Sequence, residues 1–213
     1  MDRLILQKLQ RALKKLIAKD GLGLSSNDED EIDVSFLAPN RDFTGKLGSK
    51  PTINCYLVGV TEDRLRRQSE PPRSVLNQAK TMRTMYKEPK FVDLTYMLTV
   101  WSLNVDKSAE IEHLLLSYLI SGLGSYDYLP QELQDEESLA AEPYGIRVTL
   151  FGNENSEKIS GQVWQALGST PKPTVLLSLS VPVSVYIPTV VPVIQEIERT
   201  LSSTDSLEES SGA

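Results

Sequence analysis

The single cysteine and the single histidine of this sequence are the first residues that could carry nucleophilic chemistry, since a thiol beside an imidazole base is a recurrent catalytic pair. Cys55 lies on one side of a predicted strand, together with Ile53 and Leu57. His113 lies on a predicted helix, beside the apolar stripe of that helix. A thiol among aliphatic side chains is typically buried and unreactive. A cysteine-dependent enzyme is therefore a disfavoured alternative, and we predict no catalytic residues.

Carboxylates are the second source of possible chemistry, and they occur in two clusters. A run of four extends from Asp28 to Glu31. Residues 122–145 contain no Lys or Arg. They hold six more carboxylates: Asp127, Glu132, Asp135, Glu136, Glu137 and Glu142. Adjacent carboxylates without the spacing of an EF-hand are usually solvated. No nucleotide-binding, nucleophile-elbow or zinc-protease motif is present. We therefore predict no metal and no cofactor.

Composition and charge limit the classes of protein that fit. The chain has 213 residues, of which 40% are hydrophobic, and a net charge of −7. These values predict a folded domain of ordinary size with a real core. An acidic chain is unsuited to general nucleic-acid binding, which needs a basic surface. One cysteine fits a reducing, cytoplasmic compartment, and charges throughout the N-terminal segment argue against a signal peptide.

A basic amphipathic helix is predicted over residues 3–19. Its apolar positions follow the spacing of one helix face: Ile5, Leu6, Leu9, Leu13, Leu16 and Ile17. Residues 2–19 hold six Lys or Arg and one Asp, which gives a net charge of +5. We favour a helix that packs on its own domain or on a neighbouring subunit. The alternative is a peripheral membrane-surface helix, which the absence of Trp and Phe from the apolar face disfavours.

Five strands and two more helices are predicted after the first helix. Alternating segments predict strands over 32–37, 52–60, 91–103, 146–151 and 174–185. One helix is expected from about residue 106 to Ile120, and another is expected to end at Gly168. The first of these has a predicted core face made of Ile111, Leu114, Leu115, Tyr118 and Leu119. The elements together indicate an α/β (α+β) domain of about five strands.

Two long segments without clear periodicity, 61–89 and 122–145, are predicted to be loops of opposite charge. The first is basic, and its candidate partner-binding residues are Arg64, Arg66, Arg67 and Arg73. Loops longer than about 12–15 residues tend to be functional or mobile. This basic segment is either a contact surface for an acidic partner or a solvated insertion, and the sequence favours neither. The second loop holds the six carboxylates named above.

The C-terminal region is predicted to be an extended arm. No charged residue occurs between Lys172 and Glu196, but Pro182, Pro188 and Pro192 interrupt this stretch and disfavour a membrane-spanning helix. We predict a domain over 1–187, followed over 188–213 by an arm and a disordered acidic tail. Residues 186–201 are expected to leave the domain and bind a partner through Ile187, Val190, Val191, Val193 and Ile194. The alternative is a short helix in which Val190, Ile194 and Ile197 pack on the parent domain.

The order of several segments resembles a known family. The most telling segments are TINCYLVGVTEDRLRR at 52–67, KFVDLTYMLTVWS at 90–102, VWQALG at 163–168 and PTVLLSLSVPV at 173–183. With the first helix, they resemble the cap, or tail-terminator, family of contractile injection systems, which are phage-tail-like particles. The resemblance covers most of residues 3–187. Such proteins have a mixed sheet flanked by helices.

The resemblance implies a structural role in the cytoplasm, as part of an assembled particle. A cap of this family forms a hexameric ring that terminates the inner tube and the contractile sheath. The implied partners are further copies of the chain, the sheath protein and the tube protein, with no nucleic acid and no membrane. A ring needs head-to-tail contacts, so the basic loop of one subunit would suit the acidic loop of the next. A bacteriophage tail terminator is an alternative with the same resemblance.

Overall fold

The computed structural model describes residues 4–22, 31–67, 73–103, 106–139, 144–151 and 156–193. The chain divides into two compact units. The first contains residues 1–69 and 88–186, and the second contains 70–87 and 187–213. No helix among the described residues is long and apolar enough to cross a membrane.

Strands and helices follow one another in the described part of the chain as follows. The strands are β1 (Asp33–Ser35), β2 (Thr52–Glu62), β3 (Arg73–Leu76), β4 (Met82–Tyr86), β5 (Lys90–Trp101), β6 (Arg147–Leu150), β7 (Val175–Val183) and β8 (Thr189–Pro192). The helices are α1 (Ile5–Leu16), α2 (Ser108–Leu123), α3 (Gln131–Glu136) and α4 (Ser156–Leu167). A π-helical turn over Ile17–Gly21 continues α1.

The first unit is built on a five-stranded sheet in the order β1-β2-β5-β7-β6. β1 runs parallel to β2, and every other neighbouring pair is antiparallel. This mixed sheet confirms the predicted fold class, and its five strands lie where the alternating segments predicted them. β2, β5 and β7 lie inside the sheet and are buried over much of their length, although β2 becomes exposed from Val60 onward.

Helices α1 and α2 contribute to the larger core, on one face of the sheet. β5 supplies Leu94, Tyr96, Leu98 and Val100 to this core, and β7 supplies alternate residues from Val175 to Val181. The apolar stripe of α1 is buried there through Leu9, Ala12, Leu13 and Leu16. The prediction that the first helix packs on its own domain is therefore confirmed. Leu6, which belongs to the predicted apolar face, is 43% exposed, so the domain buries this stripe only from Leu9 onward.

Helix α2 buries a narrower face than the sequence predicted. Its buried residues are Leu115, Leu119 and Leu123, which are spaced four apart. Leu114 and Tyr118 are 52% and 50% exposed, so their assignment to the core was wrong. Each precedes a buried leucine by one position and is therefore rotated away from the sheet. His113 is exposed, as expected for a residue beside the stripe.

A smaller aromatic cluster covers the opposite face of the sheet. It consists of Phe43, Met97, Trp101, Trp164 and Leu176. The rings of Phe43 and Trp101 meet edge to face with their centres 5.0 Å apart. Trp164 comes from α4, which ends before Gly168 as predicted. Gly168 has a φ of +64°, a left-handed conformation that favours glycine.

The second unit contains a three-stranded antiparallel sheet in the order β3-β4-β8. Two of its strands lie in the segment 61–89, so the prediction of a loop there was wrong. The side-chain oxygen of Asn77 accepts hydrogen bonds from the backbone N–H groups of Thr81 and Met82, at 2.9 and 3.1 Å, and closes the turn. Basic residues within these short strands interrupt the apolar alternation on which the sequence prediction depended.

Candidate partner-binding surfaces

The predicted partner-binding residues lie in both units. Arg64, Arg66 and Arg67 lie at the end of β2 in the first unit. The others belong to the second unit: Arg73, Ile187, Val190, Val191 and Val193. Ile194 lies outside the described residues, as do Ile197 and the predicted acidic tail. Val190 is in a strand, so the alternative of a packed helix that begins with this residue was wrong.

Arg66 is directed into the first unit. One of its terminal nitrogens donates to the backbone oxygen and the hydroxyl of Ser180, at 3.0 and 3.2 Å. The other donates to the carbonyl oxygens of Tyr144 and Gly145, at 2.8 and 3.2 Å. Its guanidinium lies over the ring of Phe91, and burial lowers its pKa. Arg66 therefore stabilises the fold, and reversing its charge would test folding as well as partner binding.

Arg64 and Arg67 remain on the surface of the same turn. Arg67 donates to both carboxylate oxygens of Glu62 at 2.7 Å and is 61% exposed. This hydrogen-bonded pairing lowers the pKa of the Glu62 carboxyl. Arg64 is exposed, and Leu65 beside it is 94% exposed. The tip of the turn thus presents two cations around an exposed leucine, and Leu65 was not among the residues predicted to bind a partner.

Asp63 holds this turn in place. Its carboxylate accepts hydrogen bonds from the backbone N–H groups of Leu65 and Arg66, at 3.0 and 3.3 Å. The hydroxyl of Ser180 donates to its other oxygen at 2.7 Å. An aspartate that receives the following backbone amides is a recurrent way to fix a turn. The residues Arg64, Leu65 and Arg67 are consequently displayed by an ordered turn, which we call the β2 turn.

The predicted acidic loop is partly helical and is paired within the chain. Helix α3 lies in it, and the carboxylate of Glu137, just after this helix, contacts Arg11 at 2.6 Å and Lys15 at 2.9 Å. Lys15 also reaches Glu136 at 2.8 Å. The two cations lower the pKa of Glu137, chiefly through the hydrogen bond from Arg11. Lys19, just after α1, lies 3.8 Å from Glu132, so three of the six predicted carboxylates pair with cations of the N-terminal segment.

The sheet of the second unit has little core of its own. None of the described residues in 73–87 or 187–193 is buried. One face of this sheet carries four large apolar side chains that are 40–55% exposed: Val75, Met82, Tyr86 and Val190. Ile187, just before β8, is 89% exposed. A small sheet needs a covered apolar face for stability, so this face, which we call the β3-β4-β8 face, is a candidate interface.

Arg73 and Val190 on this face were predicted from the sequence to bind a partner, but the apolar side chains of Val75, Met82 and Tyr86 were missed. Direct pairing places Val75 and Val190 on either side of Thr84. The alternation of Met82, Thr84 and Tyr86 was a usable signal for a strand. This signal was missed because the residues between these positions, Arg83 and Met85, are one basic and one apolar and so do not form a consistently polar second face.

Nucleophilic chemistry has no support among the described side chains. Cys55 is fully buried, and burial raises the pKa of its thiol. Burial also raises the pKa of Tyr96, to about 12. A groove of about 850 Å³ lies between Phe151, Trp164 and Lys172. The ammonium of Lys172 is bonded to both oxygens of Glu112 at 2.6 Å, so the groove does not present it as a base.

Comparison with known proteins gives a family for this fold. Residues 2–196 match the family described as the Pvc16 N-terminal domain. No curated protein matches the chain. A solved structure described as the sheath/tube terminator of PVC, an extracellular contractile injection system, in its extended state, superposes with a TM-score of 0.67 and 17% identity. The match covers 95% of this chain and 65% of that one.

A second solved structure is described as the tube terminating cap of the anti-feeding prophage. It superposes with a TM-score of 0.61 and 14% identity, over 91% of this chain and 60% of its own. This chain therefore spans about two thirds or less of the length of both structures. The resemblance to the cap family of contractile injection systems, inferred from the sequence, is confirmed. Because the match extends over most of its length, the chain belongs to the Pvc16 N-terminal domain family.

Proposed function

We propose that this protein is a structural cap that forms a hexameric ring at the end of a phage-tail-like contractile injection particle. The ring terminates both the inner tube and the sheath. The observation that carries this proposal is that both similar structures, each matched over more than nine tenths of this chain, are terminators of such particles. Family membership over residues 2–196 supports it independently. Assembly takes place in the cytoplasm, and the protein acts without a cofactor and without catalysis.

The surfaces of the two units are suited to different contacts within such a particle. The β2 turn offers Arg64, Leu65 and Arg67, a small group of two cations and one apolar side chain. The β3-β4-β8 face offers a wider apolar area. Interface cores are typically apolar and their rims charged, and a rim charge contributes about 1 kcal/mol or less. We assign the β3-β4-β8 face to the sheath or tube and the β2 turn to the neighbouring copy in the ring.

The contact between neighbouring copies in the ring does not use all of the acidic segment 122–145. Glu136 and Glu137 already contact α1 of their own chain. A neighbouring copy would have to compete with those ion pairs in order to use them. Asp127 lies at the opposite end of this segment and is exposed. We place the acidic side of the ring contact near Asp127 and leave the α1–α3 ion pairs intact.

The direct experiment is to produce the protein with its cognate tube and sheath proteins. Native mass measurement of the protein should give six copies, and images of particle ends should show a closed ring. A protein that stays monomeric and is absent from particle ends would contradict the proposal. Without the protein, sheaths and tubes should lose a defined terminus and vary in length.

A charge variant tests the ring contact. The double change Arg64→Glu and Arg67→Glu should weaken hexamer formation and leave the melting temperature nearly unchanged. The matched control is Lys46→Glu with Lys50→Glu, which makes the same change of charge at two other exposed positions of the first unit. Equal loss of hexamers in both variants would show that net charge, and not the β2 turn, is responsible.

A further inference from the structure

The two outer edges of the β3-β4-β8 sheet differ in the hydrogen-bonding groups that they offer. On the β3 side, the backbone N–H of Asn77 donates to the carbonyl of Met82 at 3.0 Å. Alternation along an antiparallel ladder then directs the backbone groups of Val75 and Arg73 toward β4. The N–H and C=O groups of Ser74 and Leu76 point outward. The β3 edge thus presents two backbone donors and two acceptors in register.

The β8 edge is protected by prolines. The N–H of Val193 donates to the carbonyl of Thr81 at 2.9 Å, which directs the groups of Val191 and Thr189 toward β4. The residues whose backbone groups point away from β4 are therefore Pro188, Val190 and Pro192. Proline has no N–H, and natural sheets use it on edges to prevent pairing. Among the described residues, Val190 alone supplies an outward donor on this edge and no strand pairs with the outer side of β3, so β3 is the open edge.

Charge indicates what kind of segment the open edge would accept. Residues 73–87 contain four Lys or Arg and no Asp or Glu, and 187–193 contain no charged residue. Arg73, Lys80 and Arg83 are exposed. The whole chain has a net charge of −7, so this basic sheet is a local exception within an acidic protein. Two β3 edges from two copies would bring like charges together, which is unfavourable.

We propose that the β3 edge receives an extended, carboxylate-bearing segment of a different protein of the particle as a fourth strand. The inference rests on the proposed function, which supplies the particle as the source of that segment. Main-chain hydrogen bonds to Ser74 and Leu76 provide the affinity. Carboxylates beside Arg73, and apolar side chains beside Val75, provide the specificity. β8, which lies within the segment expected to leave the domain as an arm, pairs with β4 of its own chain.

Hydrogen exchange tests this directly and needs no variant. Deuterium uptake is measured in peptides that cover 73–77 and 188–193, for the isolated protein and for the protein bound to tube–sheath particles assembled without it. We expect uptake at Ser74 and Leu76 to slow by about tenfold or more on binding. Uptake in 188–193 should change less. Protection of 73–77 that is already present in the isolated oligomer would assign this edge to a second copy and overturn the inference.

A proline variant gives a second, independent measurement. Ser74→Pro removes one outward donor without removing a bond to β4, and should weaken binding to the particles about tenfold or more. Gln78→Pro is the matched control, because it places a proline in the turn of the same hairpin, where the β3 edge is not altered and proline is tolerated, and it should bind like the unchanged protein. Unchanged binding by a folded Ser74→Pro variant would reject the inference. If the unchanged protein itself does not bind the particles, the proposed function fails, and the inference fails with it.

Discussion

The guanidinium of Arg66 lies 4.3 Å from the centre of the Phe91 ring, and its nitrogens donate to the carbonyls of three residues outside its own turn. Phe91 in turn packs edge to face against Tyr144, with ring centres 5.4 Å apart. One arginine thus connects the end of β2 with β7 and with the segment before β6. Arg66 was predicted to bind a partner because it lies in a basic segment, but its side chain instead contributes to the interior of the first unit.

Replacing Arg66 by methionine should destabilise the first unit by about 2–3 kcal/mol, because several hydrogen bonds from a charged donor are lost and their carbonyl acceptors stay partly buried. Arg66→Lys should recover only part of this loss, since an ammonium lacks the planar fork. Denaturant unfolding measures both. The control is Arg64→Met, which should change stability by less than about 0.5 kcal/mol. Equal stabilities for the Arg64 and Arg66 variants would contradict this interpretation.

The ion pairs between α1 and the segment after α3 predict a dependence of stability on pH. Arg11 and Lys15 lower the pKa of Glu137 in the folded state, so its ionised form is favoured by folding. The stabilisation is present above the ordinary pKa of a glutamate, near 4.5, and is lost as the pH falls through the lower pKa of the folded protein.

Glu137→Gln should remove this contribution. At neutral pH we expect a loss of about 1 kcal/mol, a modest value because the partner cations are about half exposed. The difference between the two proteins should shrink as the pH falls toward 3. The measurement is the free energy of unfolding at a series of pH values. A difference that stays constant from pH 7 to pH 3 would show that packing, and not charge, explains the effect.

Buried Cys55 provides a test of the enzyme alternative. A catalytic thiol reacts rapidly in the folded state, whereas a buried thiol with a raised pKa must wait for the protein to open. We expect a disulfide reagent to react about a thousandfold or more slowly than with the unfolded chain, which corresponds to an opening free energy of about 4 kcal/mol. Rapid reaction of the folded protein at neutral pH would support a reactive cysteine.

Much of the first unit was predictable from the sequence because its strands have strong apolar patterns. β5 and β7 alternate cleanly, and both became central strands. The stop at Gly168 depended on local backbone preference, which the sequence carries directly. The parallel pairing of β1 with β2 and the strand order depend on contacts between distant segments. No local pattern encodes them, and only the family resemblance implied a mixed sheet.

The candidate surfaces were harder to predict, because charge does not reveal which partner a side chain meets. Arg66 and Arg67 are adjacent, yet one turns inward to backbone carbonyls while the other pairs with Glu62 on the surface. The second unit was missed as a sheet because its strands are four or five residues long and half exposed. Strands this short offer only two or three alternating positions, which is too few for the pattern to stand out from its neighbours.

Truncation after Tyr186 should separate the contributions of the two units. It removes β8 and leaves β3 paired only with β4, and an isolated two-stranded hairpin is marginally stable at best. Every residue of the main core lies in the first unit, so that unit should still unfold cooperatively with nearly the same melting temperature. The amides of Arg83 and Met85, which face β8, should exchange much faster. Capping of particles should be lost, because the β3-β4-β8 face loses Val190 and its order. Loss of cooperative unfolding in the first unit would instead show that the C-terminal segment is needed for the main core.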